Sequence, residues 1–101
     1  METLRVHISN AVNEVQRLLK TEVAPEAEVR LRQLRSDYFY LWQQVILQSL
    51  DNRSPEYTTA LQTLRQARDA AETAQTDLAG IEEAIRLLEA GAKAVRAVVR
   101  E

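Results

Sequence analysis

From Ala60 to Val99 the sequence keeps an apolar residue at every seam position of a heptad. Leu64, Ala71, Leu78, Ile85, Ala92 and Val99 recur every seven residues, and Ala60, Ala67, Ala74, Ile81, Leu88 and Val95 do the same. Nearly six heptads without a slip of phase are the pattern of a helix that buries one stripe against other helices. Gly80 is the one residue inside this stretch that suggests a break. A break usually resets the phase, and here the phase runs through it, so the pattern predicts one helix over residues 55–100. Such a helix would be on the order of 70 Å long at 1.5 Å per residue. Each interior Gly would cost it about 1 kcal/mol relative to Ala.

The rest of the chain carries the same 3.6-residue periodicity, with punctuation in two places. Met1, Leu4, Ile8, Ala11, Val15 and Leu18 step by three and four, as do Ala27, Leu31, Leu34, Tyr38, Leu41 and Val45. Between the second and third segments lies Asp51-Asn52-Arg53-Ser54-Pro55. Ser54 is a good N-cap, Pro55 suits the first helical position, and Glu56 sits at the positive end of the helix dipole. Between the first and second segments, Pro25, Glu26 and Glu28 suit a first turn but Ala24 is a poor cap. That leaves a kink or a turn at Pro25. Two Gly and two Pro in 101 residues provide little material for tight turns, which argues against an all-β fold. The expected fold is all-α and a single domain over residues 1–101, with helices near 2–22, 25–51 and 55–100.

A short connection at Asn52 and Arg53 suggests a long antiparallel hairpin of the second and third helices. Folding there sets Tyr38 against Ala67, Leu34 against Ala71, Leu31 against Ala74 and Leu41 against Leu64, large residues against small ones. The second helix reaches only to about Leu78 of its partner. Beyond that point Ile81, Ile85, Leu88, Val95 and Val99 need cover from the first helix or from a second chain. Residues 38–50, YFYLWQQVILQSL, are apolar nearly all round, and such a helix needs neighbours on more than one side. Together these features predict a coiled-coil-like bundle assembled as a homodimer, with association coupled to folding. The self-association interface is assigned to Tyr38, Phe39, Trp42, Ile46, Ile81, Ile85, Leu88 and Val95. Another helical protein is the other candidate partner.

Little catalytic chemistry can be assembled from these residues. The chain has one His and no Cys, so a zinc site would need carboxylates for all other ligands. His7 lacks a Glu three residues upstream and reads as a surface or half-buried residue beside the Leu4 and Ile8 stripe. No Ser-His-Asp arrangement or glycine-rich phosphate loop is present. No catalytic, cofactor-binding or metal residue is therefore assigned, and the expected function is non-enzymatic. Glu82, Glu83 and Glu89 read as an ion-paired face, with Glu82 four residues before Arg86 and Glu89 four before Lys93.

Arg30, Arg32 and Arg35 are the densest basic patch and the candidate nucleic-acid contact. Glu28 shares a face with Arg32 and Arg35, and the net charge of -2 removes the strong electrostatic case for a polyanion. Nucleic acid thus ranks behind protein as a partner. No apolar run approaches the roughly 20 residues that span a bilayer, and a cytoplasmic location is expected. The leading expectation is an interaction or scaffolding homodimer. A small regulatory subunit using the arginine face is the alternative.

Overall fold

The computed structural model describes residues 3–21, 23–48, 50–74 and 78–99. Among them are four helices, α1 (Leu4–Leu19), α2 (Pro25–Leu47), α3 (Pro55–Ala74) and α4 (Leu78–Val98), and no strand. The protein is an all-α bundle.

Local chemistry accounts for three of the helix starts. The Thr3 hydroxyl accepts from Val6 N–H, capping α1. Ser54 caps α3 as its sequence position suggests: its Oγ accepts from Tyr57 N–H at 3.2 Å, while Asp51 Oδ1 accepts from Arg53 N–H at 2.9 Å to shape the preceding turn. Helix α2 has no side-chain cap at Ala24. It starts at Pro25, whose fixed φ and missing N–H suit the first position, and Glu26 and Glu28 lie in its first turn. Because α1 ends at Leu19 and packs on α2, the chain turns back before Pro25.

The single helix expected over residues 55–100 is two helices. α3 ends at Ala74, α4 begins at Leu78, and the two pack against each other. The molecule measures 38 × 20 × 19 Å, too short for a helix of about 70 Å. The heptad record reports which face of each helix is apolar; it does not report whether the helix is continuous. The small seam of α3 (Ala60, Ala67, Ala71, Ala74) and the large seam of α4 (Ile81, Ile85, Leu88, Val95) all enter one core. Folding the seam onto itself buries both halves, whereas a straight helix would leave the larger half in water.

Helix α1 borders α2 and α3, and α4 borders α2 and α3. That leaves α1 and α4, and α2 and α3, on the diagonals of the bundle. Neighbours across the two hairpins run parallel. Leu4 N–H donates to the Tyr57 hydroxyl at 3.0 Å near the starts of α1 and α3, and the Arg17 guanidinium donates to the Ala71 carbonyl near their ends. Arg30 meets Glu82 and Asp37 meets Arg96 in the same order along α2 and α4. The expected α2 and α3 hairpin is thus not the pairing adopted. The connection between Leu47 and Pro55 carries the chain across the end of the bundle to the far corner, so α2, whose buried residues include Leu31, Leu34, Tyr38 and Leu41, packs chiefly against α1 and α4 and not in register along α3.

Tyr38 locks the middle of this core. It is fully buried, and its hydroxyl donates to the Leu88 carbonyl at 2.5 Å. Burial pushes its phenol well above the ordinary tyrosine range. The hydroxyl fits because position 91 is glycine: a Cβ there would lie 2.7 Å from Tyr38 Oη and 2.9 Å from Leu64 Cδ2. His7, expected near the surface, is buried on the core side of α1.

Candidate interaction surface

Five of the eight residues assigned to self-association belong to the core of a single chain. Tyr38, Ile81, Ile85, Leu88 and Val95 are all buried within it. The break after Ala74 gives the C-terminal seam a partner inside the same molecule and removes the reason to seek one outside. Phe39, Trp42 and Ile46 remain accessible.

They belong to a wider exposed surface on α2. The core face of this helix is Leu31, Leu34, Tyr38 and Leu41. The C-terminal half is also apolar on its outward face, where Phe39 is 46% exposed, Tyr40 47%, Trp42 37%, Ile46 44% and Leu47 78%. With 150–250 Å² per aromatic side chain, the three rings alone leave roughly 200–300 Å² in water. With Ile46 and Leu47 added, the surface reaches the few hundred Å² that monomers seldom expose in one place without a use for it. Residues 38–50 contain no charge, so nothing in the run itself opposes burial against another protein.

Trp42 and Phe39 also wall a groove between α1 and α2, opposite Ser9, Val12, Asn13 and Gln16. At Gln16 the groove continues towards the α1 and α2 turn, where Leu19, Lys20, Glu28, Arg32 and Arg35 line it. A separate pocket nearer the start of α1 is lined by Thr3, Arg5, Val45 and Ile46. The groove lining thus changes from cationic at the interhelix turn to aromatic at Trp42.

The three arginines of the basic patch separate. Arg30 faces α4, where its guanidinium donates to both oxygens of Glu82 at 2.7 and 2.9 Å and to Glu89 Oε1 at 2.5 Å and Oε2 at 3.2 Å. Hydrogen bonds donated to Glu89 and then to Glu82 raise its pKa further above its ordinary value. Arg32 pairs with Glu28 at 2.6 Å, four residues back on its own helix. Arg35 and Lys20 make no side-chain hydrogen bond or ion pair among the described residues. A face of three free arginines does not form.

The acidic cluster pairs differently from its sequence spacing. Glu82 and Glu89 cross to Arg30 on α2, and Arg86 takes Glu83, three residues away, at 2.5 Å. That pair lowers the Glu83 carboxyl below its usual range, chiefly through the hydrogen bond from Arg86. Asp37 and Arg96 add a second contact between α2 and α4 at 3.4 Å. These charges serve helix packing.

Among the described residues no group of three or more His, Asp or Glu side chains is placed to hold a metal ion. Among them, too, no helix is long and apolar enough to cross a membrane. No protein-family model matches the chain, and neither does any curated protein or solved structure.

Proposed function

We propose that this chain is a non-enzymatic, cytoplasmic helical interaction or scaffolding protein that docks partners on the outward face of α2. One observation carries the reading. Phe39, Tyr40, Trp42, Ile46 and Leu47 stay in water although the four helices already share a continuous core. Tyr and Trp are enriched where binding energy concentrates. A rigid helix face presents them without an ordering cost on binding.

A second copy of the chain is the other reading for that face. It is favoured by the absence of charge across residues 38–50, which lets two α2 helices cross near Trp42 without like charges in contact. This would be association of prefolded monomers, with folding independent of it.

The test compares wild type with the variant Phe39→Ser, Trp42→Gln, Ile46→Gln. Circular dichroism should be the same for both. Wild type should hold a partner from its native host, or show a mass of about twice 11.5 kDa by light scattering, and the variant should lose whichever applies. Equal behaviour of the two proteins in both assays overturns the proposal.

A further inference from the structure

The α1 and α2 groove has a polarity that narrows the choice of partner. From Glu28 to Trp42 it follows α2 for about 21 Å at 1.5 Å per residue, the length of about 14 helical residues. Its middle is walled by Phe39 and Trp42, and its end at the interhelix turn carries Lys20, Arg32 and Arg35 against Glu28 alone. Glu28 is already engaged by Arg32. Lys20 and Arg35 therefore present positive charge into the groove that no other carboxylate among its described lining residues balances.

Lys20 and Arg35 line one pocket together without an ion pair among the described residues. Among the same residues Arg5, Arg53, Arg65 and Lys93 are likewise unpaired, whereas Arg17, Arg30, Arg68, Arg86 and Arg96 each have a carboxylate within 4 Å, and the net charge is negative. The pocket beyond the aromatic end offers no compensation to a second copy, because its charged lining residue is Arg5. Apposing two grooves antiparallel sets Lys20 and Arg35 towards Arg5 of the other copy. Apposing them parallel sets the cationic ends on each other. Either arrangement places like charges together, which works against association.

We infer that the groove receives an amphipathic helix from another protein, its apolar stripe on Phe39 and Trp42 and a cluster of acidic residues at the end that meets Lys20 and Arg35. This rests on the reading of the α2 face as a docking surface and names the chemistry of what docks there. Affinity comes from the aromatic middle, in the manner of helix-in-groove recognition. The cationic end sets direction and selectivity, which is what charge at the rim of an interface does best. Two unpaired cations are too few for a duplex, which typically engages several phosphates at once, and Glu26 and Glu28 border the same end.

The probe is a fluorescein-labelled 18-residue helical peptide with leucines at the first, fourth, eighth, eleventh and fifteenth positions and three glutamates at one end. A matched peptide carries lysines in their place. Anisotropy titration of the full chain should show the glutamate peptide binding more tightly than the lysine peptide, with the difference shrinking as salt is raised. The variant Lys20→Gln, Arg35→Gln should weaken the glutamate peptide about three- to tenfold, the range open to two exposed pairs, and leave the lysine peptide unweakened. Arg30→Gln, outside the groove, should change neither. Equal binding of the two peptides, or no loss in the double variant, overturns the inference. If neither peptide binds but wild type self-associates through Phe39, Trp42 and Ile46, the inference falls while the docking face stands, its occupant a second copy. Absence of peptide binding, partner capture and self-association removes the docking face as well. A 20-base-pair duplex that binds at about 150 mM salt and loses binding in the Lys20 and Arg35 variant would assign the cationic end to nucleic acid instead.

Discussion

Replacing Gly91 by Ala sets two effects of opposite sign against each other. In an exposed helix interior the change gains about 0.5–1 kcal/mol, because Gly is the more flexible residue in the unfolded chain. At this position the new methyl would lie 2.7 Å from Tyr38 Oη and 2.9 Å from Leu64 Cδ2. Leu64 can turn its terminal methyl aside. Tyr38 has no such freedom, being a fully buried ring whose hydroxyl is bonded to the Leu88 carbonyl. Overpacking of this kind costs about 1–3 kcal/mol, and displacing the hydroxyl from its acceptor adds about 1–3 kcal/mol. The net expectation is a loss of about 1–5 kcal/mol. At about 4–8 °C per kcal/mol for a domain of this size, the melting temperature should fall by at least several degrees. Urea unfolding followed by circular dichroism measures the loss, and a double-mutant cycle locates it. Tyr38→Phe removes the clashing oxygen, so Gly91→Ala should cost less in the Tyr38→Phe background than in wild type. A Gly91→Ala protein as stable as wild type, or equal costs in both backgrounds, would refute the close approach of α2 and α4 at this point.

The other predictions concern the same core and its edges. The raised Tyr38 pKa makes stability fall at alkaline pH: above about pH 10 the unfolded chain loses a proton that the folded chain keeps, at a cost approaching 1.4 kcal/mol per pH unit. Equilibrium unfolding between about pH 9 and 11 should show this slope in wild type, and Tyr38→Phe should flatten it. Ala67→Leu and Ala71→Leu should each lower stability by about 1–3 kcal/mol, since both alanines are fully buried on the α3 seam; thermal melts measure it. Arg30→Gln should cost no more than about 0–2 kcal/mol, because its pairs with Glu82 and Glu89 are substantially exposed, and the cost should shrink in high salt.

Local signals in the sequence carry further than those that depend on arrangement. The starts of α2 and α3 are legible because Pro25, Ser54 and Pro55 act on their own backbone neighbours. The apolar stripes are legible because burial follows the helical period wherever the partner is. The break between Ala74 and Leu78 is not, since helices meeting in a hairpin can keep a common phase as well as a continuous helix does. Thr76 and Asp77, residue types that favour N-caps, are the available cue, outweighed by the regularity on either side. The diagonal placement of α2 and α3 depends on the path from Leu47 to Pro55, where composition does not set a direction. Gly91 reads in the sequence only as a helix penalty; its role emerges once Tyr38 is opposite. In the same way Arg30 reads as part of a basic run, and only the packing of α2 beside α4 commits it to Glu82 and Glu89. On the interaction surface, Phe39, Trp42 and Ile46 are identifiable from the run of apolar residues around them. The α4 residues grouped with them are covered by the chain's own fold.

A core completed within one chain leaves the outward face of α2 surplus to folding. Helix content and urea midpoint measured over a wide dilution series, with mass followed by light scattering, test this most directly. The expected result is that a fully helical chain persists at the lowest concentration as an 11.5 kDa species, its midpoint constant across the concentrations at which it is monomeric. Loss of helix as the chain is diluted to the 11.5 kDa species would mean that a second chain completes the core and would contradict the self-sufficient bundle.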